Sequence, residues 1–299
     1  MTTEKWSDWS CAVAVTAVSD HDLEPAVAIV RSVMAEVEIA ASRFRDDSDL
    51  SRINAQAGRY VTVRPMTVEL VELALDAARR TGGRVTPTVG AALLAQGYDD
   101  DIDVVRARSA APAEPAPVPA ADDAVRVDPA LGRVGVAAGT VLDLGALAKA
   151  YAVDEAIARI AGRGLDPVLV SIGGDLAVHG EQSWQISVSE TADAPAQLVT
   201  LDEGALATSS ILGRRWGQDR HHIIDPGTGA GAAGGRWRTA TVWAPTTVEA
   251  NLLSTWALVD ADGLTRSLVV DPCPARMVTA GGVVTTLHGW PAEAMESAS

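Results

Sequence analysis

Residues 168–179 read VLVSIGGDLAVH, and this stretch decides the fold class. Its first five residues are a short apolar run rich in β-branched side chains, which predicts a buried strand. Two glycines and an aspartate follow, and then a second predicted strand over residues 176–179. A double glycine permits either a hairpin turn, its more common use, or close approach of the backbone to a ligand. Because no helix follows and the pattern G-x-G-x-x-G is absent, a Rossmann dinucleotide-binding unit is excluded.

Elsewhere the chain mixes predicted strands and helices without the regular alternation of βαβ units. Apolar residues at helical spacing predict helices over residues 25–41, 67–80, 145–160 and 247–259, the second with Thr67 as its N-cap. Short or alternating apolar runs predict further strands over residues 12–18, 125–127, 133–136, 184–189, 239–244, 268–270, 275–279 and 283–287. The sequence therefore predicts an α+β fold.

The length of 299 residues fits one large domain or two intimately packed subdomains. We expect residues 1–299 to form a single domain. Alanine and proline dominate residues 107–121. This composition predicts an extended surface loop without residues that contribute to the core.

The composition also limits the classes of partner and location. A net charge of −15 argues against nucleic acid, because phosphate binding requires a basic face. An anionic ligand would have to be neutralised locally, by backbone dipoles, a few cations or a metal. The sequence lacks an apolar run of about 18 residues, so no membrane span is expected. The N-terminal residues do not resemble a secretory signal, so we expect a cytoplasmic protein, with Cys11 and Cys273 as buried thiols.

A capping box marks the start of the helix predicted over residues 247–259. Thr246 and Glu249 have the spacing at which a hydroxyl caps a backbone N–H and a carboxylate returns to the cap residue. This register places Asn251 and Thr255 one turn apart on the same face. Two neutral oxygens at that spacing suit either ordinary polar packing or a hard cation that keeps water and phosphate as its other ligands.

Residues 142–154 read LDLGALAKAYAVD and predict a strand end, a turn with a glycine and a helix N-terminus. Helix N-termini attract anions through unpaired N–H groups. Lys149 lies near that first turn, where it either meets a phosphate or is an ordinary solvated side chain. The pattern G-x-x-x-x-G-K-[ST] is absent, which disfavours a P-loop nucleotidase.

A fourth candidate segment combines hydroxyls, arginines, an aromatic residue and a histidine. Residues 207–216 read ATSSILGRRW, a set that suits a flavin nucleotide. His222, with Asp225 three residues further on, is a candidate general base, although a lone histidine is more often structural. The adjacent His221 is expected to point to the opposite side of an extended segment, so the pair does not predict a shared metal.

Five segments occur in a fixed order along the chain. They are SRFRDDSDLSRIN at residues 42–54, PTVG at 87–90, LDLGALAKAYAVD at 142–154, SIGGD at 171–175 and HIIDPGTG at 222–229. Each is weak alone, but their ordered combination is specific. It resembles the FAD:protein FMN transferase family, also called the ApbE family, over about residues 10–290.

The resemblance implies an α+β fold of two intimately packed subdomains with FAD in the cleft between them. It also implies transfer of FMN from FAD to a threonine or serine hydroxyl of a target protein, with release of AMP and with Mg²⁺ bridging the pyrophosphate. The implied partners are therefore FAD and a flavoprotein that carries an acceptor threonine. Two alternatives remain open: an FAD pyrophosphatase that produces FMN and AMP, and an FAD-binding protein without catalysis.

The resemblance further implies roles for individual residues. His222 matches the catalytic histidine of the family, Lys149 contributes to catalysis and FAD binding, and Phe44 matches the aromatic residue that stacks on the isoalloxazine. The other implied FAD-binding residues are Asn54, Thr88, Asp154, Gly173, Gly174, Asp175, Thr208, Ser209 and Asp225. The implied metal ligands are Asn251, Thr255 and the main chain near Ala148.

One segment and one single residue depart from the family pattern. The family commonly has Met-Gly-Thr near its N-terminus, where this chain has Trp9-Ser10-Cys11. The metal-binding aspartate of the family falls on Asn251, which supplies a carbonyl oxygen without a charge. Because charge count sets the affinity of hard-cation sites, this exchange is expected to weaken metal binding.

Overall fold

A computed structural model describes residues 1–108, 113–191, 193–232 and 235–291 of the chain. Within these residues the strands are, in chain order, β1 (Thr2–Asp8), β2 (Cys11–Ala17), β3 (Tyr60–Thr62), β4 (Val125–Asp128), β5 (Arg133–Val136), β6 (Val168–Ile172), β7 (Asp175–His179), β8 (Trp184–Val188), β9 (Gln197–Leu201), β10 (Ala205–Ser210), β11 (Arg215–Trp216), β12 (Arg220–His221), β13 (Ile224–Asp225), β14 (Ala230–Gly231), β15 (Trp237–Ala244), β16 (Ala275–Thr279) and β17 (Val284–Leu287). Eight of them form a central sheet in the spatial order β1-β2-β6-β7-β10-β15-β16-β17. All neighbouring strands of this sheet are antiparallel.

The helices are α1 (Asp20–Ala41), α2 (Asp49–Ala55), α3 (Pro65–Arg80), α4 (Gly90–Ala95), α5 (Ile102–Ala107), α6 (Ala121–Ala124), α7 (Ala148–Gly162), α8 (Thr247–Val259) and α9 (Ala261–Val270). Helices α1, α7 and α8 pack side by side on one face of the central sheet. An antiparallel sheet with helices on one face confirms the predicted α+β class. Among the described residues, no helix combines the length and the apolar character that a membrane crossing requires.

Strand β6 lies inside the sheet and is buried on both faces. Val168, Val170 and Ile172 join the core beneath the helices. Leu169 points to the opposite face, where it packs with Trp184 of the β8–β9 hairpin. Burial on both faces explains why this strand is a nearly continuous apolar run instead of an alternating one.

The structure shows a helix where the sequence predicted a strand over residues 268–270. Asp260 caps α9 by accepting a hydrogen bond from the backbone N–H of Gly263 at 2.9 Å. Leu264 and Leu268, one turn apart, are buried in a core shared with α8. The predicted strand is wrong because a short run of β-branched residues hid this helical spacing.

Three predicted helix starts also differ from the structure. Helix α7 begins at Ala148 and not at residue 145, because residues 145–147 form a turn. Helix α1 begins five residues before Pro25, and the Ser19 side chain caps it by accepting a hydrogen bond from the backbone of His21. Helix α3 begins at Pro65, so Thr67 is not its N-cap. The Thr67 hydroxyl instead donates to the buried carboxylate of Asp49 at 2.9 Å.

The alanine- and proline-rich segment predicted at residues 107–121 falls partly on residues 109–112, which lie outside the described residues. Residues 113–120 have no helix or strand, and the Ala116 N–H donates to the Gly229 carbonyl at 3.2 Å. Ala121 begins α6 and is buried. The expectation that this segment contributes nothing to the core is therefore wrong at Ala121, and Ala116 and Val118 also pack against a buried cluster.

Candidate active site

A cavity of about 830 Å³ lies where the β6–β7 turn, the end of β10, the start of α7 and helix α8 meet. This volume is in the range of sites for cofactors and other small molecules. The cavity brings together most residues singled out in the sequence, namely Phe44, Ala148, Lys149, Gly173, Gly174, Asp175, Thr208, Ser209, His222, Asn251 and Thr255. Residues far apart in the sequence therefore form one site.

The double glycine forms the turn of the β6–β7 hairpin and also lines the cavity. Gly173 has φ +65°, which favours glycine, and a Cβ there would lie 3.4 Å from Cys11 Sγ. A Cβ on Gly174 would lie 2.7 Å from the Thr208 carbonyl oxygen, closer than side chains tolerate. The structure therefore shows the hairpin turn, the more common use, and the small size of Gly174 lets this turn pack closely against Thr208.

The start of α7 supplies positive charge to the cavity. Leu147 precedes this helix and provides no side-chain cap, and the N–H of Ala148 donates to the Leu144 carbonyl at 2.9 Å. Lys149, in the first turn, lines the cavity, and its Nζ lies 3.8 Å from Asp175 Oδ2. A helix N-terminus with a lysine suits an anionic group such as a phosphate.

Helix α8 has the register that was predicted from its N-cap residue, Thr246, so Asn251 and Thr255 lie one turn apart. The Thr246 hydroxyl accepts a hydrogen bond from the Glu249 N–H at 3.2 Å. The Glu249 carboxylate does not complete the box, because it pairs with Arg80 at 2.6 Å. Asn251 and Thr255 are both buried on the face of α8 that borders the cavity.

A polar network connects these two residues to the sheet. Asn251 Nδ2 donates to Asp175 Oδ1 at 2.9 Å. The hydroxyls of Thr255 and Ser209 lie 2.9 Å apart, and the Ser254 hydroxyl lies 2.8 Å from that of Ser209. Burial raises the pKa of Asp175, while the Lys149 charge and the bond from Asn251 act in the opposite direction. The network therefore contains one carboxylate surrounded by neutral oxygens.

The donor set fits a divalent hard cation. Asn251 Oδ1 and Asp175 Oδ2 are buried and make no hydrogen bond with the described residues. A buried oxygen without a partner is costly unless a ligand satisfies it. Within the described part of the chain, groups of three or more His, Cys, Asp or Glu side chains that suit a metal are absent. Oxygen donors without sulfur or nitrogen favour Mg²⁺ or a similar ion over zinc.

His222 lies in the short segment between β12 and β13 and lines the cavity, whereas its neighbour His221 packs against Gly231. Burial, together with the charges of Arg214 and Lys149, lowers the pKa of His222 to about 3. Its Nδ1 atom is buried and makes no hydrogen bond of standard geometry with the described residues. The imidazole is therefore neutral near pH 7, as a general base must be.

One end of the cavity is aromatic. The Phe44 ring is 46% exposed and lies edge-on to Tyr98, with 5.8 Å between the ring centroids. Tyr98 in turn stacks on the buried Trp216 at 5.1 Å. The Arg43 guanidinium lies 4.3 Å from the Phe44 ring and forms an ion pair with Asp143 at 2.8 Å. These contacts support an accessible flat ring that another aromatic system could cover.

Sequence reasoning missed several residues that line the cavity. Tyr98 was not identified as a site residue, because its contacts with Phe44 and Arg43 join segments far apart in the sequence. Arg43 was not identified either, although it belongs to a quoted motif. Cys11 was expected to be a buried thiol, but it is half-buried and lines the cavity beside the β6–β7 turn, whereas Cys273 is buried as expected. Trp9 lines the cavity too, and its carbonyl accepts a 2.9 Å hydrogen bond from Arg214.

The cavity lining does not include four of the expected FAD-binding residues, which instead contact backbone groups. Asn54 forms a double hydrogen bond with the backbone of Leu142 at 2.8 and 3.0 Å. Asp154 accepts from the first N–H groups of α8 at 2.8 and 2.9 Å. Thr88 donates to the Pro119 carbonyl at 2.7 Å. Asp225 accepts from the Gly227 N–H at 2.9 Å. In this structure they position the segments that carry the site.

Comparisons with known proteins identify the same family that the sequence motifs resemble. The sequence model of the ApbE family matches residues 8–270. A curated relative, the FAD:protein FMN transferase of Treponema pallidum (strain Nichols), is 28% identical over 268 residues, which cover 80% of this chain and 72% of the relative. The crystal structure of the ApbE protein of Thermotoga maritima superimposes with a TM-score of 0.82 at 24% identity and covers 97% of both chains. The apo form of the flavinyl transferase ApbE of Pseudomonas stutzeri superimposes with a TM-score of 0.78 at 23% identity and covers 97% of this chain and 95% of that one.

Proposed function

The chain belongs to the ApbE family, and from this premise we propose that it is an FAD:protein FMN transferase. It transfers the FMN half of FAD to a threonine or serine hydroxyl of a target flavoprotein and releases AMP. FAD is the donor substrate, and Mg²⁺ is the proposed metal.

The observation that carries this proposal is the arrangement of one cavity. Its aromatic end presents Phe44, and its polar end presents Lys149, His222 and the oxygens of Asn251 and Thr255. An isoalloxazine ring needs a stacking surface, and a pyrophosphate needs positive charge. A single cavity with both features suits a flavin dinucleotide.

The chemistry that the site must perform is a phosphoryl transfer. The acceptor oxygen forms a bond to the phosphorus of the FMN half, and the bond from that phosphorus to the bridging oxygen of the pyrophosphate breaks. AMP leaves with that oxygen, and the acceptor proton passes to the imidazole of His222, which is neutral near pH 7. Such reactions depend mainly on positioning and on neutralisation of charge.

The residues at the polar end divide these tasks. Lys149 and the N-terminus of α7 neutralise the pyrophosphate. Mg²⁺ would be held by oxygen atoms of Asn251, Thr255 and Asp175 and by the main chain near Ala148. When bound, the metal supplies positive charge to the phosphate oxygens. These local charges allow a protein of net charge −15 to bind an anionic dinucleotide.

Product analysis tests the proposal. The protein is incubated with FAD, Mg²⁺ and a flavoprotein domain that carries an acceptor threonine, and AMP and free FMN are quantified by chromatography. We expect AMP to form only with the acceptor, and free FMN to stay at background. Equal amounts of free FMN and AMP without the acceptor would show a pyrophosphatase instead. FAD that stays intact in every mixture would show binding without catalysis.

A further inference from the structure

Two buried oxygen atoms in the polar end of the cavity have no hydrogen-bond partner among the described residues. They are Oδ1 of Asn251 and Oδ2 of Asp175. Asn251 is 6% exposed and Asp175 is 1% exposed, and both line the cavity. A buried oxygen without a protein partner costs free energy unless a bound ion or an ordered water satisfies it.

The hydrogen bond between these two side chains determines which atoms remain free. Asn251 Nδ2 donates to Asp175 Oδ1 at 2.9 Å. A carboxylate accepts but does not donate, so the amide nitrogen must face Asp175, and the amide oxygen is left as a free acceptor. The contact also holds the carboxylate of Asp175, whose second oxygen remains unbonded.

The same contact explains how an asparagine is accommodated at position 251. An aspartate there would place a second carboxylate oxygen against Asp175 at hydrogen-bond distance, which requires a proton or a cation between the two. Asparagine removes that repulsion and leaves a single negative charge in the pair. Lys149 Nζ, 3.8 Å from Asp175 Oδ2, is beyond hydrogen-bond distance, and its flexible stem leaves it free to turn toward a phosphate.

We propose that Asp175 is the charged oxygen donor of the cation site, and that Asn251 provides a neutral carbonyl oxygen and positions Asp175. The negative charge of the site thus lies on β7 instead of α8. The choice of a divalent cation rests on the proposed function. The different roles of residues 175 and 251 rest on their two oxygens without a hydrogen-bond partner and on the 2.9 Å hydrogen bond between them.

A charge-swap series tests this inference by Mn²⁺ titration of the full-length protein, with free Mn²⁺ measured by electron paramagnetic resonance. FAD and acceptor are left out, so a failure of FMN transfer would not affect the result. Asp175→Asn is expected to weaken Mn²⁺ binding by about tenfold or more, and Asn251→Asp to strengthen it by about tenfold, because charge count sets the affinity of such sites. The double variant Asp175→Asn/Asn251→Asp restores one carboxylate and one amide, and its affinity is expected within about threefold of the parent.

Two controls make the series decisive. Asp202→Asn removes one exposed carboxylate from the turn after β9, and it is expected to leave Mn²⁺ affinity unchanged. Thermal melting reports whether each variant folds, and the double variant retains the amide–carboxylate pair if Asp175→Asn alone is unstable. Parent-like Mn²⁺ affinity in folded Asp175→Asn would overturn the inference. So would a double variant that binds Mn²⁺ at least tenfold more weakly than the parent.

Discussion

Gly174 and Thr208 approach so closely that a Cβ at position 174 would lie 2.7 Å from the carbonyl oxygen of Thr208. The Thr208 N–H also donates to the Gly174 carbonyl at 2.8 Å. The β6–β7 turn is thereby held against the end of β10, and both segments line the cavity. A side chain at position 174 would therefore force these two segments apart.

Replacement of Gly174 by alanine is expected to lower stability by about 1–3 kcal/mol, because the new methyl group meets backbone that cannot move freely. FMN transfer should fall as well, since the turn borders the proposed pyrophosphate site. The matched control is Gly162→Ala at the end of α7, where a Cβ meets nothing within 4 Å. That change is expected to raise stability by up to about 1 kcal/mol. Thermal melting of both variants checks the pair, and equal melting temperatures would contradict the packing argument.

His222→Ala is expected to reduce the rate of FMN transfer by about 10²–10⁴-fold while FAD binding persists, because the variant lacks only the general base. Rates come from the mass gain of the acceptor, and FAD affinity from flavin fluorescence. His21→Gln, an exposed histidine at the start of α1, serves as the control and should transfer FMN at the parent rate. Full transfer by the alanine variant would remove His222 from the mechanism.

The pKa of His222 predicts a pH dependence of stability. In the folded protein burial, Arg214 and Lys149 lower this pKa to about 3, whereas an unfolded chain has the ordinary value of about 6.5. As the pH falls below about 6.5, the unfolded chain takes up a proton that the folded protein does not bind, so stability decreases. His222→Gln should therefore lose less melting temperature between about pH 7 and pH 5 than the parent. Identical losses in both proteins would contradict the lowered pKa.

Phe44 is expected to contribute to FAD affinity through its exposed ring. Phe44→Ala should weaken FAD binding by about tenfold, in line with about 1–3 kcal/mol for stacking of one ring system. AMP lacks the isoalloxazine, so its affinity should not change. Phe44→Trp retains a ring and should bind FAD within about threefold of the parent. An equal loss of FAD and AMP affinity in the alanine variant would show that Phe44 supports the whole cavity instead.

Asn54 tests whether an expected FAD-binding residue contacts FAD directly or only positions a backbone segment. Its amide forms two hydrogen bonds with the backbone of Leu142, in the segment that leads to α7. Asn54→Ala leaves both backbone groups unpaired and is expected to cost about 1–3 kcal/mol for each group that stays buried. The FAD affinity of the folded variant should stay near that of the parent. A large loss of FAD affinity without a change in melting temperature would instead indicate direct contact with the flavin nucleotide.

The sequence was sufficient for the fold class and for the elements with local signals. The hairpin of residues 168–179 and helix α8 follow from short apolar runs, glycines and the Thr246 cap, all of which act between near neighbours. The last residues of helix α9, 268–270, were mistaken for a strand, because their short apolar run hid the one-turn spacing of the two buried leucines. Strand β1 has mostly exposed side chains and gave no apolar pattern to recognise.

The sequence predicted which residues line the site better than it predicted the contacts between them. Most of the residues that the motifs predicted for the site line the cavity, including His222 and Lys149. The bonds of Asn54 and Asp154 to distant backbone, and that of Asn251 to Asp175, join residues far apart in the sequence. Contacts of this kind produce no regular spacing in the sequence. Only the three-dimensional structure therefore shows which polar residues form hydrogen bonds with each other and which do not.

A crystal structure of His222→Ala with FAD and Mn²⁺ tests the central claim most directly, because this variant should bind FAD without consuming it. The account predicts that the isoalloxazine lies beside Phe44 and the pyrophosphate beside Lys149, with an anomalous Mn²⁺ peak next to Thr255. FAD bound outside this cavity, or a pyrophosphate and Mn²⁺ away from Lys149 and Thr255, would contradict it.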